Sequence, residues 1–363
     1  MQNTYFFTGF PGFIASRLIT RLIGRDATAR FELLVHPRQL EKAQNAVNTL
    51  CAAGMGTPEQ FVLIAGDITE PNLAIGDEYL EELEDRVTHV FHLAAIYDLA
   101  VPQDIAYRVN VIGTEQVGKL VRRLHNMQRL IYFSTAYVSG DRTGQILETE
   151  LEMGQGFKNH YESTKYEAER IVQKLCGELP VTIIRPGIVM GDSKTGETVK
   201  FDGPYFVMRF LDAFSQFPLP YVGASEARIN LVPVDYIEAA TVHFAHAGAE
   251  ANGVFHLTDP YPYRAREVYE RICQELIGKK PVFTLPASMI SSALSIGAFR
   301  RFVKVEKETI AYFSCQAEYD ATEAQRVLSA AGIQCPDFHS YIEKAVDYYK
   351  AHRHDPEKMI LVR

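Results

Sequence analysis

Two periodicities alternate along the chain. Short runs rich in β-branched and aromatic residues read as strands: Thr4 to Thr8, Phe31 to Val35, Phe61 to Ala65, Val87 to Leu93, Arg129 to Phe133 and Val181 to Ile184. Between them apolar residues recur at helical spacing, as at Ile14, Leu18, Leu22 and Ile23, or Ala168, Ile171, Val172 and Leu175. Strand and helix in strict alternation predict an α/β fold, a Rossmann-type doubly wound parallel sheet. Beyond Gly191 the alternation fades. It returns over 228–258, where Val254 to Thr258 reads as a late strand, and Tyr261 to Ile277 then reads as a helix. The expected layout is a Rossmann domain over 1–192, rejoined by about 228–258, with a smaller, mostly helical C-terminal substrate domain made of 193–227 and 259–363.

The run ending at Thr8 leads straight into Gly9-Phe10-Pro11-Gly12-Phe13-Ile14-Ala15. Strand, glycine turn and helix form the setting of a dinucleotide fingerprint. Gly9 permits the tight turn, Gly12 lets the backbone approach a pyrophosphate, and N–H groups of Phe13 and Ile14 at the helix start bind phosphate. An ordinary βα turn has the same look. The next strand ends in His36-Pro37-Arg38 with no acid to hold a ribose 2′-hydroxyl. Arg38 is suited to a 2′-phosphate, so the expected cofactor is NADP(H); alternatively Arg38 is a solvated helix residue. Asp67 with Ile68, the small pair Ala94-Ala95, Thr135, and Pro186 with Ile188 all fall at carboxyl ends of strands, where a doubly wound sheet binds its ligand. Asp67 is also a plausible helix cap.

Tyr161 and Lys165 lie four positions apart, hence one turn apart on one helix face. A phenol has a pKa of about 10 and is a poor acid at neutral pH. A neighbouring ammonium lowers that value and makes the phenol a usable proton donor. A surface pair would look the same, but the ligand-binding edge lies within reach of this helix.

Together these motifs resemble the extended short-chain dehydrogenase/reductase family. The matching residues are Thr8-Gly9 with Gly12, Asp67, His92-Leu93-Ala94-Ala95, Asn110-Val111 with Gly113-Thr114, Ser134-Thr135, Tyr161 with Lys165, Arg185-Pro186 and Val232-Pro233-Val234-Asp235-Tyr236. They span about two-thirds of the chain, from residue 4 to about 240. Within the family, Ser134 to Val138 and Gly66 to Leu73 are similar to the fatty-acyl and thioester reductase (male-sterility-type NAD-binding) branch. Ala15 in place of the third glycine and Pro11 inside the turn are departures. The resemblance implies Tyr161 as general acid and Lys165 bonded to the nicotinamide ribose, lowering the tyrosine's pKa. It implies Thr135, ahead of Ser134, as the hydroxyl that stabilises the oxyanion. Asn110 would shape its helix and support Lys165 through water.

Composition narrows the picture further. The 363 residues are 47% hydrophobic and carry a net charge of -8 with no basic stripe, so no nucleic-acid partner is expected. The scattered cysteines, the absence of a charged and apolar leader at MQNTYFFTGF and the absence of a long apolar run fit a cytoplasmic protein without a membrane span. No metal site is expected. Phe201, Tyr205, Phe206, Phe210, Phe214, Phe217 and Tyr221 read either as core or as an apolar wall for a lipophilic substrate. Residues 286–303 are read as a helix packed on the substrate part in preference to a membrane-surface helix. The chain from Pro356 is expected to be a loose tail. The resulting expectation is an NADPH-dependent carbonyl reductase acting on a ketone, aldehyde or acyl thioester with a bulky apolar group. A nucleotide-sugar epimerase or dehydratase and a non-catalytic NADP-binding regulator are the alternatives, and a homodimer is compatible.

Overall fold

The computed structural model describes residues 2–97, 101–222, 226–286, 288–289, 292 and 316–359. The chain runs through β1 (Thr4–Thr8), α1 (Phe13–Arg25), β2 (Arg30–Val35), α2 (Leu40–Ala52), β3 (Phe61–Ala65), α3 (Asp77–Arg86) and β4 (His89–His92). Then come α4 (Gln103–Ala106), a π-helical stretch (Tyr107–Ile112), α5 (Gly113–Val121), β5 (Arg129–Phe133), β6 (Gly144–Ile146), α6 (His160–Gln173), β7 (Val181–Pro186) and β8 (Ile188–Met190). Beyond these lie α7 (Pro204–Ala213), β9 (Pro220–Val222), β10 (Leu231–Pro233), α8 (Val234–His246), β11 (Gly253–Leu257), α9 (Ala265–Ile277), β12 (Phe283–Leu285), β13 (Ala317–Tyr319), α10 (Thr322–Ala330) and α11 (Phe338–His352).

Seven of these strands form one parallel sheet in the order β11-β7-β5-β4-β1-β2-β3. The strand order reverses between β1 and β4, which opens a crevice at their carboxyl ends. Alternation along β1 sends Tyr5 and Phe7 to one face and Phe6 to the other. Phe7 stacks on Phe91 with ring centroids 4.5 Å apart and belongs to the core under α1, α2 and α8. Phe6, Val90 and Tyr132 build the opposite core with residues of α3, α5 and α6. Both faces being covered explains why the strands are apolar almost throughout.

All six expected strands are present, although β4 is shorter than its apolar run because Val87 closes α3 instead. The late strand, β11, pairs with β7 and completes the sheet. Asn110, buried inside the π-helical stretch, interrupts the regular helix there.

The C-terminal third is divided. The helices α7, α9 and α11 share a core of their own, including Phe201, Tyr205, Tyr269, Ile272 and Tyr341. Helix α10 instead lays Ala324, Val327 and Leu328 on the sheet core. The buried Glu148 carboxylate accepts from the Glu323 and Ala324 N–H groups at 2.7 and 3.1 Å, and from the His256 N–H at 2.9 Å. It therefore satisfies the open N-terminus of α10 and the edge strand β11 together. The expected loose tail is tied down, since the Lys358 carbonyl accepts from the Phe201 N–H at 2.9 Å and its ammonium donates to the Thr198 carbonyl at 2.9 Å. Most of 286–303 lies outside the described residues. No helix of the described residues is long and apolar enough to cross a membrane.

The stacked pair at the sheet centre yields a stability prediction. Phe7→Ala should cost about 3–5 kcal/mol, the range for emptying a buried phenyl site. Urea denaturation should show a lower midpoint with the slope unchanged.

Candidate active site

At the end of β1 the chain must turn at once to enter α1. Gly9 does so with φ of +92°, and a Cβ there would lie 2.8 Å from the Ala94 nitrogen. The turn and the small Ala94-Ala95 segment thus pack backbone against backbone. A Cβ on Gly12 would lie 2.6 Å from the Gly9 carbonyl oxygen, which accepts from the Gly12 N–H at 2.8 Å. No side chain caps α1, so its N-terminal N–H groups stay open at the cavity that Gly9 to Ala15 line. Ala15, where a third glycine was expected, is buried in the sheet core with its methyl accommodated.

The cavity has a volume of about 1130 Å³ and follows the carboxyl edge of the sheet. Every expected cofactor-binding residue lines it: Gly9, Phe10, Gly12, Phe13, Ile14, Arg38, Asp67, Ile68, Ala94, Ala95, Tyr161, Lys165, Pro186 and Ile188. Thr135 lines it as well. The β2 end carries three basic side chains, His36, Arg38 and Lys42, of which the sequence reading found only Arg38. Burial works against ionisation of Asp67, but hydrogen bonds from Thr69 and the charges of His36 and Arg108 outweigh it and hold its carboxyl below the usual range.

Asn110 is placed elsewhere. Its amide oxygen accepts from the Ile96 N–H at 2.9 Å and its amide nitrogen donates to the Thr164 hydroxyl at 3.0 Å. It pins the π-helical stretch to the segment after β4 and to α6, behind the cavity wall. A second network lies beside it, where the Thr8 hydroxyl and His92 Nδ1 are 2.7 Å apart and His92 Nε2 and the Thr114 hydroxyl 3.0 Å apart. Burial, with Lys165 nearby, pushes the His92 imidazole down to about 3, so it stays neutral.

The candidate reactive groups come from two elements. Thr135 precedes a short turn after β5 and accepts from the Tyr137 N–H at 3.3 Å. Tyr161 and Lys165 project from the first turns of α6, which Asn159 caps through the Glu162 N–H. The Thr135 side chain lies beside the Tyr161 phenol, and Tyr97 packs edge-on against the same ring with centroids 5.0 Å apart. The Lys165 ammonium donates to the Phe133 carbonyl at 2.5 Å and to the Tyr132 hydroxyl at 3.0 Å.

The expected lowering of the tyrosine's pKa by its lysine is not what this arrangement gives. Burial dominates and pushes the Tyr161 phenol well above its ordinary value, against the smaller opposing effect of Thr135. Burial also pushes the Lys165 ammonium down to about 7, with Glu169 opposing. The phenol is therefore held protonated, as a proton donor must be before it acts.

One turn further along α6, Glu169 is fully buried. It accepts from Arg185 Nη2 at 2.5 Å and Nε at 3.0 Å, and from the Ser134 hydroxyl. Lys165 and Glu169 thus hold consecutive residues, Phe133 and Ser134, immediately before Thr135.

The substrate side of the cavity differs from the aromatic wall expected from the sequence. Of the aromatic residues between 201 and 221, only Phe206 lines it. Phe201 and Tyr205 are core, and Phe217 is exposed. The wall is instead built by Ile188, Val199, Phe206, Val207, Ile229, Leu231, Val268 and Ile272, with Tyr97, Tyr137, Lys200, Asp202 and Tyr269 as its polar members. These residues carry no recognisable spacing, because loops, the strands β8 and β10 and the helices α7 and α9 supply them. Among the described residues no cluster of histidine, cysteine or carboxylate side chains suits a metal ion.

Comparison with known proteins gives a consistent picture. The model of the NAD-binding family described as male sterility protein matches residues 7–241. A fatty acyl-CoA reductase of Drosophila melanogaster is 27% identical over 272 residues, covering 63% of this chain and 51% of that protein. An aldehyde reductase of Aspergillus flavus is 26% identical over 274 residues, covering 71% and 26% respectively. The chain spans about half or less of the length of the curated relatives it matches. Among solved structures, the terminal R domain from the myxalamid PKS-NRPS biosynthetic pathway superposes with a TM-score of 0.81 at 24% identity, covering 99% of this chain and 93% of that one. UDP-glucuronic acid 4-epimerase from Bacillus cereus in complex with NAD superposes at 0.63 and 16% identity, covering 96% and 99%. Both likenesses show the fold.

Two predictions follow from the buried charges. Glu169→Ala leaves Arg185 buried without its partner and should cost about 3–5 kcal/mol in chemical denaturation, with Glu169→Gln losing less. The second concerns Lys165. Between about pH 7 and about pH 10 the unfolded chain holds a proton on this lysine that the folded protein has released. Stability should therefore rise with pH across that window. In Lys165→Met the rise should be smaller, as read from melting temperatures of both proteins over the same pH series.

Proposed function

The chain belongs to the male sterility protein family, and from that premise we propose that it is an NADPH-dependent reductase of acyl or carbonyl groups. The observation that carries this reading is that one cavity is lined both by a glycine turn built for a pyrophosphate and by Thr135, Tyr161 and Lys165. The residues fit a nicotinamide dinucleotide. Gly9 and Gly12, where a Cβ would collide with neighbouring backbone, let the turn deliver the chain into α1 without a side chain, and the open N-terminus of α1 favours an anion. When bound, the cofactor supplies the hydride.

The protein's own side chains do the rest. Thr135 and Tyr161 together hold the carbonyl oxygen, and the protonated phenol transfers its proton as that oxygen gains charge. Lys165 fixes the backbone at Phe133 and is the residue that would bond the nicotinamide ribose. Asn110 acts through α6, by bonding to Thr164. The basic group at the β2 end, with no acid on the strand end itself, favours a 2′-phosphate and hence NADPH over NADH.

Acyl thioesters and aldehydes are the favoured substrates, in line with the fatty acyl-CoA reductase and the aldehyde reductase that the chain resembles. The apolar wall suits a lipophilic acyl chain. The epimerase alternative rests on fold similarity alone.

The deciding measurement is NADPH oxidation at a wavelength specific to the reduced cofactor, with a long-chain acyl-CoA, a long-chain aldehyde, an aryl ketone and a UDP-sugar. Oxidation with a carbonyl substrate, falling roughly 10²–10⁴-fold in Tyr161→Phe, and slower with NADH, is the expected outcome. Conversion of the UDP-sugar without net cofactor consumption would overturn the reductase reading.

A further inference from the structure

The charged residues of the cavity are divided between its two ends. Among the described lining residues, His36, Arg38, Lys42 and Asp67 stand at the β2 and β3 end, whereas Lys165, Lys200 and Asp202 stand at the other. Lys165 is already bonded to Phe133 and Tyr132, and Lys200 is exposed. Asp202 is the one carboxylate that the described residues place among the apolar side chains of the substrate half, beside Val199, Phe206 and Val207.

No hydrogen bond of the local fold calls for an acid there. Its backbone carbonyl accepts from the Tyr205 N–H at 3.0 Å, a bond any residue makes. No side chain caps α7. The carboxylate accepts from its own backbone N–H and, among the described residues, from no other donor. Burial pushes it up to about 6, even though Lys200 and Arg209 attract the anion from a distance. The Tyr97 and Tyr205 phenols feel its charge, and Tyr97 packs on the Tyr161 ring. A carboxylate in an apolar cavity is costly until it is partnered. The ligand group that relieves the cost most is a cation.

We propose that Asp202 is a specificity residue that selects substrates carrying an ammonium group on their acyl part, pairing with that charge while the carbonyl lies at Thr135 and Tyr161. The proposal deepens the reductase reading and rests on it. It places the substrate among aminoacyl thioesters or amino aldehydes ahead of plain fatty acyl groups.

The test uses glycyl, aminobutyryl and aminocaproyl pantetheine thioesters, each beside its N-acetyl derivative, with NADPH and either the wild type or Asp202→Asn. The readout is the ratio of kcat/KM for the free amine over its acetylated partner. The wild type should favour the amine at least about tenfold for one chain length, and the ratio should collapse toward unity in Asp202→Asn. Thermal melting and NADPH binding serve as folding controls for the variant. No preference at any length, or a preference that survives the substitution, overturns the proposal. If none of these thioesters is reduced while a long-chain acyl-CoA or aldehyde is, the proposal is overturned and the reductase reading stands; if no carbonyl substrate of either set is reduced, the reductase reading itself fails. Calorimetry of the loaded protein with aminohexanol and its N-acetyl derivative then still decides whether Asp202 selects the ammonium: selective binding lost in Asp202→Asn supports it, and equal binding sinks it.

Discussion

The buried pair between Arg185 and Glu169 is the constraint on which the reactive site depends. Both side chains are almost wholly removed from water, and they join β7 to α6 through two guanidinium nitrogens. Their remaining partners carry the connection further. Arg185 donates to the Glu148 carbonyl at 3.3 Å and lies 3.2 Å from His256 Nε2, while Glu169 holds Ser134. A pair without such partners would be a poor source of stability, because desolvation of two ions consumes most of their attraction. Here the extra bonds convert it into a positional device. Tyr161, Lys165 and Glu169 occupy one face of α6 at successive turns. Fixing Glu169 against Arg185 therefore fixes the rotation of α6 and with it the direction in which the phenol points.

The same burial that makes the device work also determines the electrostatics. In a cavity lined by apolar side chains both members of the tyrosine–lysine pair move toward their neutral forms, the phenol upward and the ammonium downward. The lysine bonds to Phe133 and Tyr132 rather than to the tyrosine, so its geometric role precedes any electrostatic one. Anything that brings charge into the cavity, whether phosphates on the basic end or a cation beside Asp202, acts in a medium that screens little.

Much of this was legible in the sequence. Apolar periodicity located the sheet strands because parallel strands covered on both faces must be apolar, and the glycine turn and the Tyr161–Lys165 spacing are local features tied to short-range geometry. What was not legible depends on long-range packing. Nothing in Thr322 to Ala330 announces that its N-terminus is satisfied by Glu148, some 170 positions earlier. The aromatic residues after Phe201 read equally as wall or core, and the third core claimed Phe201 and Tyr205. The direction of the Tyr161 shift turned on burial, a quantity that spacing does not contain. Asp202 escaped notice because a single acid in an aromatic stretch has no pattern; its interest arises only from the apolar residues around it.

The arrangement of cores separates what is held constant from what can vary. The candidate cofactor edge and the Thr135, Tyr161 and Lys165 trio hang on the two sheet cores, of which one packs α6, and the buried ion pair ties that helix to β7. Much of the substrate wall belongs to the separate core of α7, α9 and α11, which contributes Ile229, Leu231, Val268, Tyr269 and Ile272 to the cavity. Substitutions on that wall change the shape and polarity of the substrate half without touching the strands that position Tyr161. The sheet cores thus hold the candidate trio and the glycine turn, and the shape of the other half of the cavity depends on α7, α9 and the loop that carries Asp202.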